Sequence, residues 1–133
     1  MTFGQKRTVD CGLACICKIA QKRYTKKFEI KMKNKTGRLR TYEEDIRFGF
    51  KILNFHLIHN FRRLKRWDII RKNKNISIAL TGINYNNNKD TWHWVVYYRN
   101  KGNNDYFWDP KKSREERTVF RKGIKLRSYL PIK

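Results

Sequence analysis

Cys11, His93 and Asp109 are the residues whose types and order could do covalent chemistry. In such a set a thiolate attacks a carbonyl carbon. An imidazolium then protonates the leaving amine, and a carboxylate orients the ring and stabilises its charge. The oxyanion formed on the way needs hydrogen-bond donors. A backbone N–H at a helix start is one, and the side-chain amide of Gln5, six residues before Cys11, is a second. Asp10 reads as a helix N-cap, its carboxylate accepting the first free backbone N–H groups. Cys11 then falls in the first turn, where the positive end of the helix macrodipole favours thiolate over thiol. The same residues also suit a plain structural role, with Cys11 a small residue after a capping aspartate.

The elements that must hold these residues follow from the pattern around them. A first helix is expected from about Cys11 to about Gln21, with Leu13, Ile16, Cys17 and Ala20 on its buried face. The polar stretch from Lys31 to Arg40, with Gly37, reads as a loop. Thr41-Tyr42-Glu43-Glu44 reads as a capping box, Thr41 capping and Glu44 reaching back. The helix it opens carries Ile46, Phe50 and Leu53, with Gly49 placed for close packing. Phe55 to Ile58 alternates weakly, as a short strand would. Leu64, Trp67, Ile69 and Ile70 predict a short amphipathic helix ending near Asn73, behind the basic run Arg62, Arg63, Lys65 and Arg66. Asn75 to Leu80 is the clearest buried strand, and Asn84 to Lys89 a polar loop. Thr91 to Arg99 and Asp105 to Trp108 form a hairpin across the turn Lys101-Gly102-Asn103-Asn104, which Asp109-Pro110 ends. Thr118 to Phe120 and Ile124 to Leu126 add short outer strands. Helices first and strands after give an α+β fold. His93 at the start of one strand and Asp109 at the end of its partner come within reach of each other.

Length and composition bound the rest. The 133 residues suit one domain with a real core, and 14% aromatic residues supply much of it. Lys and Arg number 33 against 11 Asp and Glu, a net charge of +22 spread from Lys6 to Lys133. Such a surface attracts nucleic acid, an acidic protein or another polyanion, although no nucleic-acid motif stands out. No apolar stretch reaches the ~20 residues of a transmembrane helix. The opening residues lack the apolar core of a secretion signal, so a cytoplasmic protein, or one delivered into a target cell, is expected. Three cysteines exclude a fully paired disulfide framework. Cys15 and Cys17 are expected in the core and Cys11 exposed, all reduced. No metal or cofactor is expected, because Cys15-x-Cys17 is not a zinc spacing.

Gln5, the run Asp10-Cys11-Gly12-Leu13-Ala14-Cys15, the run Trp92-His93-Trp94-Val95-Val96 and then Trp108-Asp109-Pro110 resemble the motifs of the bacteriocin-processing peptidases. These are papain-fold cysteine peptidases at the head of peptide-exporting ABC transporters. The resemblance spans the chain, and the ordered set is more specific than any one motif. It implies a single papain-like domain over residues 1–133, an N-terminal helix carrying Cys packed on an antiparallel β-sheet carrying His and Asp. It implies Gln5 as oxyanion donor, Cys11 as nucleophile, His93 as base and acid, and Asp109 as orienting group. The family cuts after a double glycine in a leader peptide. The heavy positive charge departs from that pattern, so a standalone phage, mobile-element or toxin relative is expected. Its expected substrate is a peptide or isopeptide bond. Deamidation or another thiol acyl transfer would use the same triad. A non-catalytic basic protein gripping nucleic acid or an acidic host protein is the alternative of a different kind. His56 and His59 are the other candidate bases, and Trp92, Trp94 and Trp108 are core residues or walls of a substrate groove.

Overall fold

The computed structural model describes residues 10–38, 41–63, 67–73, 75–85, 93–99, 105–110 and 124–132. The chain is α+β, with helices and an antiparallel sheet of four strands. It divides into two compact units. The described part of the first is residues 10–38 and 41–57 with Pro110; that of the second lies within 58–109 and 124–132.

The first unit is helical. α1 (Cys11–Ala20) is buried continuously from Cys11 to Cys17, since its apolar residues run almost all round that stretch. α2 (Lys26–Thr36) occupies most of the expected polar loop. Its start is set by Thr25, whose Oγ1 accepts the Phe28 N–H at 3.1 Å. Its end is set by Gly37, at φ 77°, whose N–H donates to Lys33 O at 2.7 Å. Phe28 and Met32, four residues apart, give it a buried stripe that sparse apolar content hides.

α3 (Glu43–Ile52) starts one residue later than the capping-box reading required. Asp45, not Glu44, reaches back, accepting the Tyr42 N–H at 2.9 Å and pairing with Arg38 Nη2 at 2.9 Å. The register is fixed by packing: Thr41 is buried against α1, where a Cβ on Gly12 would stand 1.8 Å from Thr41 Oγ1. Gly49 does serve close packing, since a Cβ there would lie 2.6 Å from Ile16 Cδ1. The expected strand at Phe55 to Ile58 is irregular chain. Asn54 turns the backbone at φ 57°, and Phe55 N–H closes the end of α3 on Phe50 O at 2.9 Å.

The second unit holds α4 (Trp67–Lys72) and the sheet, ordered β3-β2-β1-β4. β1 (Ile78–Tyr85) begins after the expected Asn75, because Asn73 makes a turn that ties up Asn75 N–H and Ile76 N–H. It runs on through Gly82 and Asn84 because β2 and β4 flank it on both sides. β2 (His93–Tyr98) and β3 (Tyr106–Trp108) form the expected antiparallel pair, with Val96 opposite Trp108. β4 (Ile124–Pro131) is an outer strand but a long one, with a bulge opposite Gly82/Ile83. Arg62 adds a single bridge to Tyr129 on β4. One face of the sheet, with Ala79, Ile83, Val95, Tyr97 and Phe107, forms a core with Ile70 and Trp67 of α4. Arg99 fixes the end of α4, its guanidinium donating to Ile70 O at 2.6 Å and Asn73 O at 3.0 Å. The expected turn at 101–104, the loop residues 86–89, the strand at 118–120, and Leu64, Lys65 and Arg66 lie outside the described residues.

Candidate active site

His93 opens β2, and Asp109 follows the last residue of β3. The antiparallel register decides whether they can meet. Tyr97 faces Phe107 and Val96 faces Trp108, so the next position places Asp109 beside Val95. Side chains alternate along a strand, so His93, Val95 and Asp109 share one face, with Asp109 on the diagonal from His93. The side chains meet there: His93 Nε2 and Asp109 Oδ1 are 2.7 Å apart. Both are largely covered, with side-chain exposures of 13% and 12%. An ionised carboxylate only accepts, so Nε2 carries the proton. In the neutral ring Nδ1 is then the basic atom, and in the imidazolium it is the acid. A histidine held in this way can take a proton from a thiol and return it to a leaving group.

Cys11 stands in the first unit, at the first position of α1. It is 7% exposed rather than open. Cys11 is expected to face solvent, but α1 is buried from Cys11 to Cys17, so this position is covered too. Cys15 and Cys17 are fully buried, as expected, and all three cysteines are free thiols.

The expected cap is different in kind. Asp10 caps α1 with its backbone, its carbonyl accepting the Ala14 N–H at 3.1 Å. Its carboxylate makes no capping hydrogen bond. It accepts instead from the Tyr24 hydroxyl at 2.9 Å, within reach of Glu29 on α2. Burial, then the charges and hydrogen bonds of Asp10 and Glu29, push the Tyr24 phenol far above its usual range. Sequence reasoning passed over Tyr24 and Glu29. The available signal was a tyrosine and an acid either side of a Thr cap, which local pattern alone does not link to Asp10.

Trp94 and Trp108 are core residues, 1% and 2% exposed, on the sheet face opposite His93. Trp94 packs its ring on Phe61, with centroids 5.8 Å apart. Of the other histidines, His59 is half-buried and His56 is exposed. His56 borders an open hollow of about 400 Å³ after α3, with Arg47, Lys51 and three apolar neighbours. Among the described residues, the histidine joined to a carboxylate is His93. Gln5 and Trp92 lie outside the described residues. Among those described, no cluster of His, Cys, Asp and Glu could hold a metal ion, and no helix is long and apolar enough to cross a membrane.

No protein-family model matches this chain. No curated protein matches it either.

Proposed function

We propose that the chain is a papain-like cysteine hydrolase that cleaves a peptide or isopeptide bond, a standalone relative of the bacteriocin-processing peptidases. The observation that carries this reading is the His93–Asp109 pair, in which Nε2 faces the carboxylate at 2.7 Å and Nδ1 is the ring's other nitrogen. In this reading Cys11 is the nucleophile and His93 Nδ1 its proton acceptor. The thiolate adds to the substrate carbonyl, and the C–N bond breaks as His93 returns the proton to the amine. Water then hydrolyses the thioester, giving the acid and restoring the thiol. Asp109 keeps the ring in the productive tautomer and stabilises its positive charge. Gln5 and a first-turn N–H of α1 are the oxyanion donors in this reading. The net charge of +22 favours an acidic peptide or protein as substrate, and the reduced thiols suit a cytoplasmic setting.

The test is the pH dependence of iodoacetamide labelling at Cys11, read by peptide mass spectrometry. The native chain is expected to label with a midpoint well below the ordinary thiol value of about 8.5. His93→Ala is expected to return the midpoint to that value. An ordinary midpoint that His93→Ala leaves unchanged would end the enzyme reading. Polyanion binding through the basic surface would then be pursued by its salt dependence.

A further inference from the structure

The lysine-rich stretch after α1 folds as α2, and the helix puts its lysines in order. At about 100° per residue, Lys33, Lys26, Ile30, Asn34, Lys27 and Lys31 follow one another around about 160° of the circumference. All six are exposed, Ile30 at 48%. Phe28, Glu29 and Met32 take the other side and are buried. The acid of the helix is therefore kept off the exposed face, its carboxylate accepting from the Tyr24 hydroxyl at 3.3 Å. Lys35, beyond the edge of that face, lies over the Phe48 ring at 5.5 Å. The exposed face has three lines. Lys26 and Lys33 form one row, about 10 Å long, and Lys27 and Lys31 another, about 6 Å long. Between the rows runs an uncharged ridge of Ile30 and Asn34.

We propose that α2 docks in the major groove of duplex DNA, each lysine row on one phosphate strand and the ridge of Ile30 and Asn34 toward the base edges. The B-form groove is about 12 Å wide, and a helix with its side chains is about 10–12 Å across. A helix seated there has a phosphate strand on either side, which two separated rows of cations match. The middle of its face meets the bases, where an amide and an apolar side chain are among the groups that make contact. An acidic peptide presents a single line of charge and would engage one row. A membrane surface asks for a broad apolar face, whereas the exposed apolar residue of α2 is Ile30. The proposal involves neither Cys11 nor His93, so it stands or falls apart from the hydrolase reading.

The test is fluorescence anisotropy of a labelled mixed-sequence DNA duplex of about 20 base pairs, titrated with the full chain across a sodium chloride series. Log affinity falls linearly with log salt, with a slope of about 0.9 for each phosphate neutralised. Lys26→Gln/Lys33→Gln and Lys27→Gln/Lys31→Gln are each expected to reduce that slope by about 1.8. Glutamine keeps helix propensity, and all four positions are exposed, so the fold is not taxed. Lys51→Gln/Lys72→Gln, at exposed positions of α3 and α4, is expected to leave the slope within about 0.3 of the native value. An RNA duplex of the same sequence is expected to bind at least about tenfold more weakly, because its major groove is too narrow to admit a helix. A loss of slope in one row alone, an equal loss in Lys51→Gln/Lys72→Gln, or equal affinity for the two duplexes overturns the proposal. Displacement of the DNA by polyglutamate at matched charge also overturns it and makes an acidic protein the occupant. So does native binding that fails to saturate at about 0.05 M salt, where phosphate contacts are strong.

Discussion

The hydrogen bond between His93 Nε2 and Asp109 Oδ1 does two jobs that a substitution can separate. It sets the tautomer, and it places a negative charge beside a ring that becomes positive in the proposed reaction. Asp109→Asn keeps an acceptor oxygen and so keeps the orientation of the imidazolium, but removes the charge. The Cys11 labelling midpoint is therefore expected to rise by about one pH unit, the lower end of the effect of one close opposite charge. Asp109→Ala, which removes both, is expected to shift it further. Equal, negligible shifts in the two variants would mean that the pair is only structural. The pairing of these two residues was legible in the sequence because a hairpin with Pro110 behind it fixes which strand ends face each other. The state of Asp10 was not legible. Capping is read from neighbours along the chain, whereas Tyr24 reaches Asp10 from fourteen residues away and only through the fold. The burial of Cys11 was hidden for the same reason: a helix start is open or closed according to what packs around it.

At the scale of elements, the two glycines of the helical unit make contrasting predictions. A Cβ at Gly12 meets Thr41 Oγ1 at 1.8 Å, on a short, β-branched side chain that cannot move far. Gly12→Ala is expected to destabilise by about 1–3 kcal/mol in urea unfolding, the usual cost of overpacking. A Cβ at Gly49 meets the far end of Ile16, which can turn aside, and alanine gains roughly 1 kcal/mol of helix propensity. Gly49→Ala is expected to lie within about 1 kcal/mol of neutral. Alkaline stability tests the buried phenols. Burial and then Asp10 and Glu29 raise the Tyr24 pKa, while burial and then Asp105, 2.7 Å from the hydroxyl, raise that of Tyr97. Above pH ~10 the unfolded chain loses these protons while the folded chain keeps them, so the folded state binds more protons and stability falls as pH rises. Their contribution is fully present below pH ~10. Tyr24→Phe and Tyr97→Phe are each expected to flatten the fall measured by urea unfolding between about pH 9 and 11. The helix at Cys11 and the strands at His93 and Tyr106 were readable because their apolar spacing is strong. α2 was not, because only Phe28 and Met32 mark its buried stripe among lysines. The beginning of β1 shifted because the turn at Asn73 competes with the strand for backbone N–H groups.

The whole molecule carries 33 Lys and Arg against 11 Asp and Glu, and like charges crowd when the chain compacts. Screening should relieve that. The Debye length shrinks from about 30 Å at 0.01 M to about 8 Å at 0.15 M salt. The melting temperature is therefore expected to rise with sodium chloride over that range in a scanning fluorimetry series. A fall would mean that surface ion pairs outweigh the general repulsion. The α+β class was legible from the order of helical and strand patterns, while the split into two compact units was not, since that depends on which cores close separately. The bridge from Arg62 to Tyr129 bears on a different matter, self-association. An outer strand exposes backbone donors and acceptors that a second chain can copy onto. Along β4 the pair at Tyr129 is already satisfied, with Arg62 N–H on Tyr129 O at 2.8 Å and Tyr129 N–H on Arg62 O at 2.9 Å. Pro131, further along, has no N–H to offer. At the opposite side of the sheet β3 is three residues long, too short to template much. At this end of β4, then, the edge is closed to a neighbour at Tyr129 and broken at Pro131, which limits the room for amyloid-like stacking there.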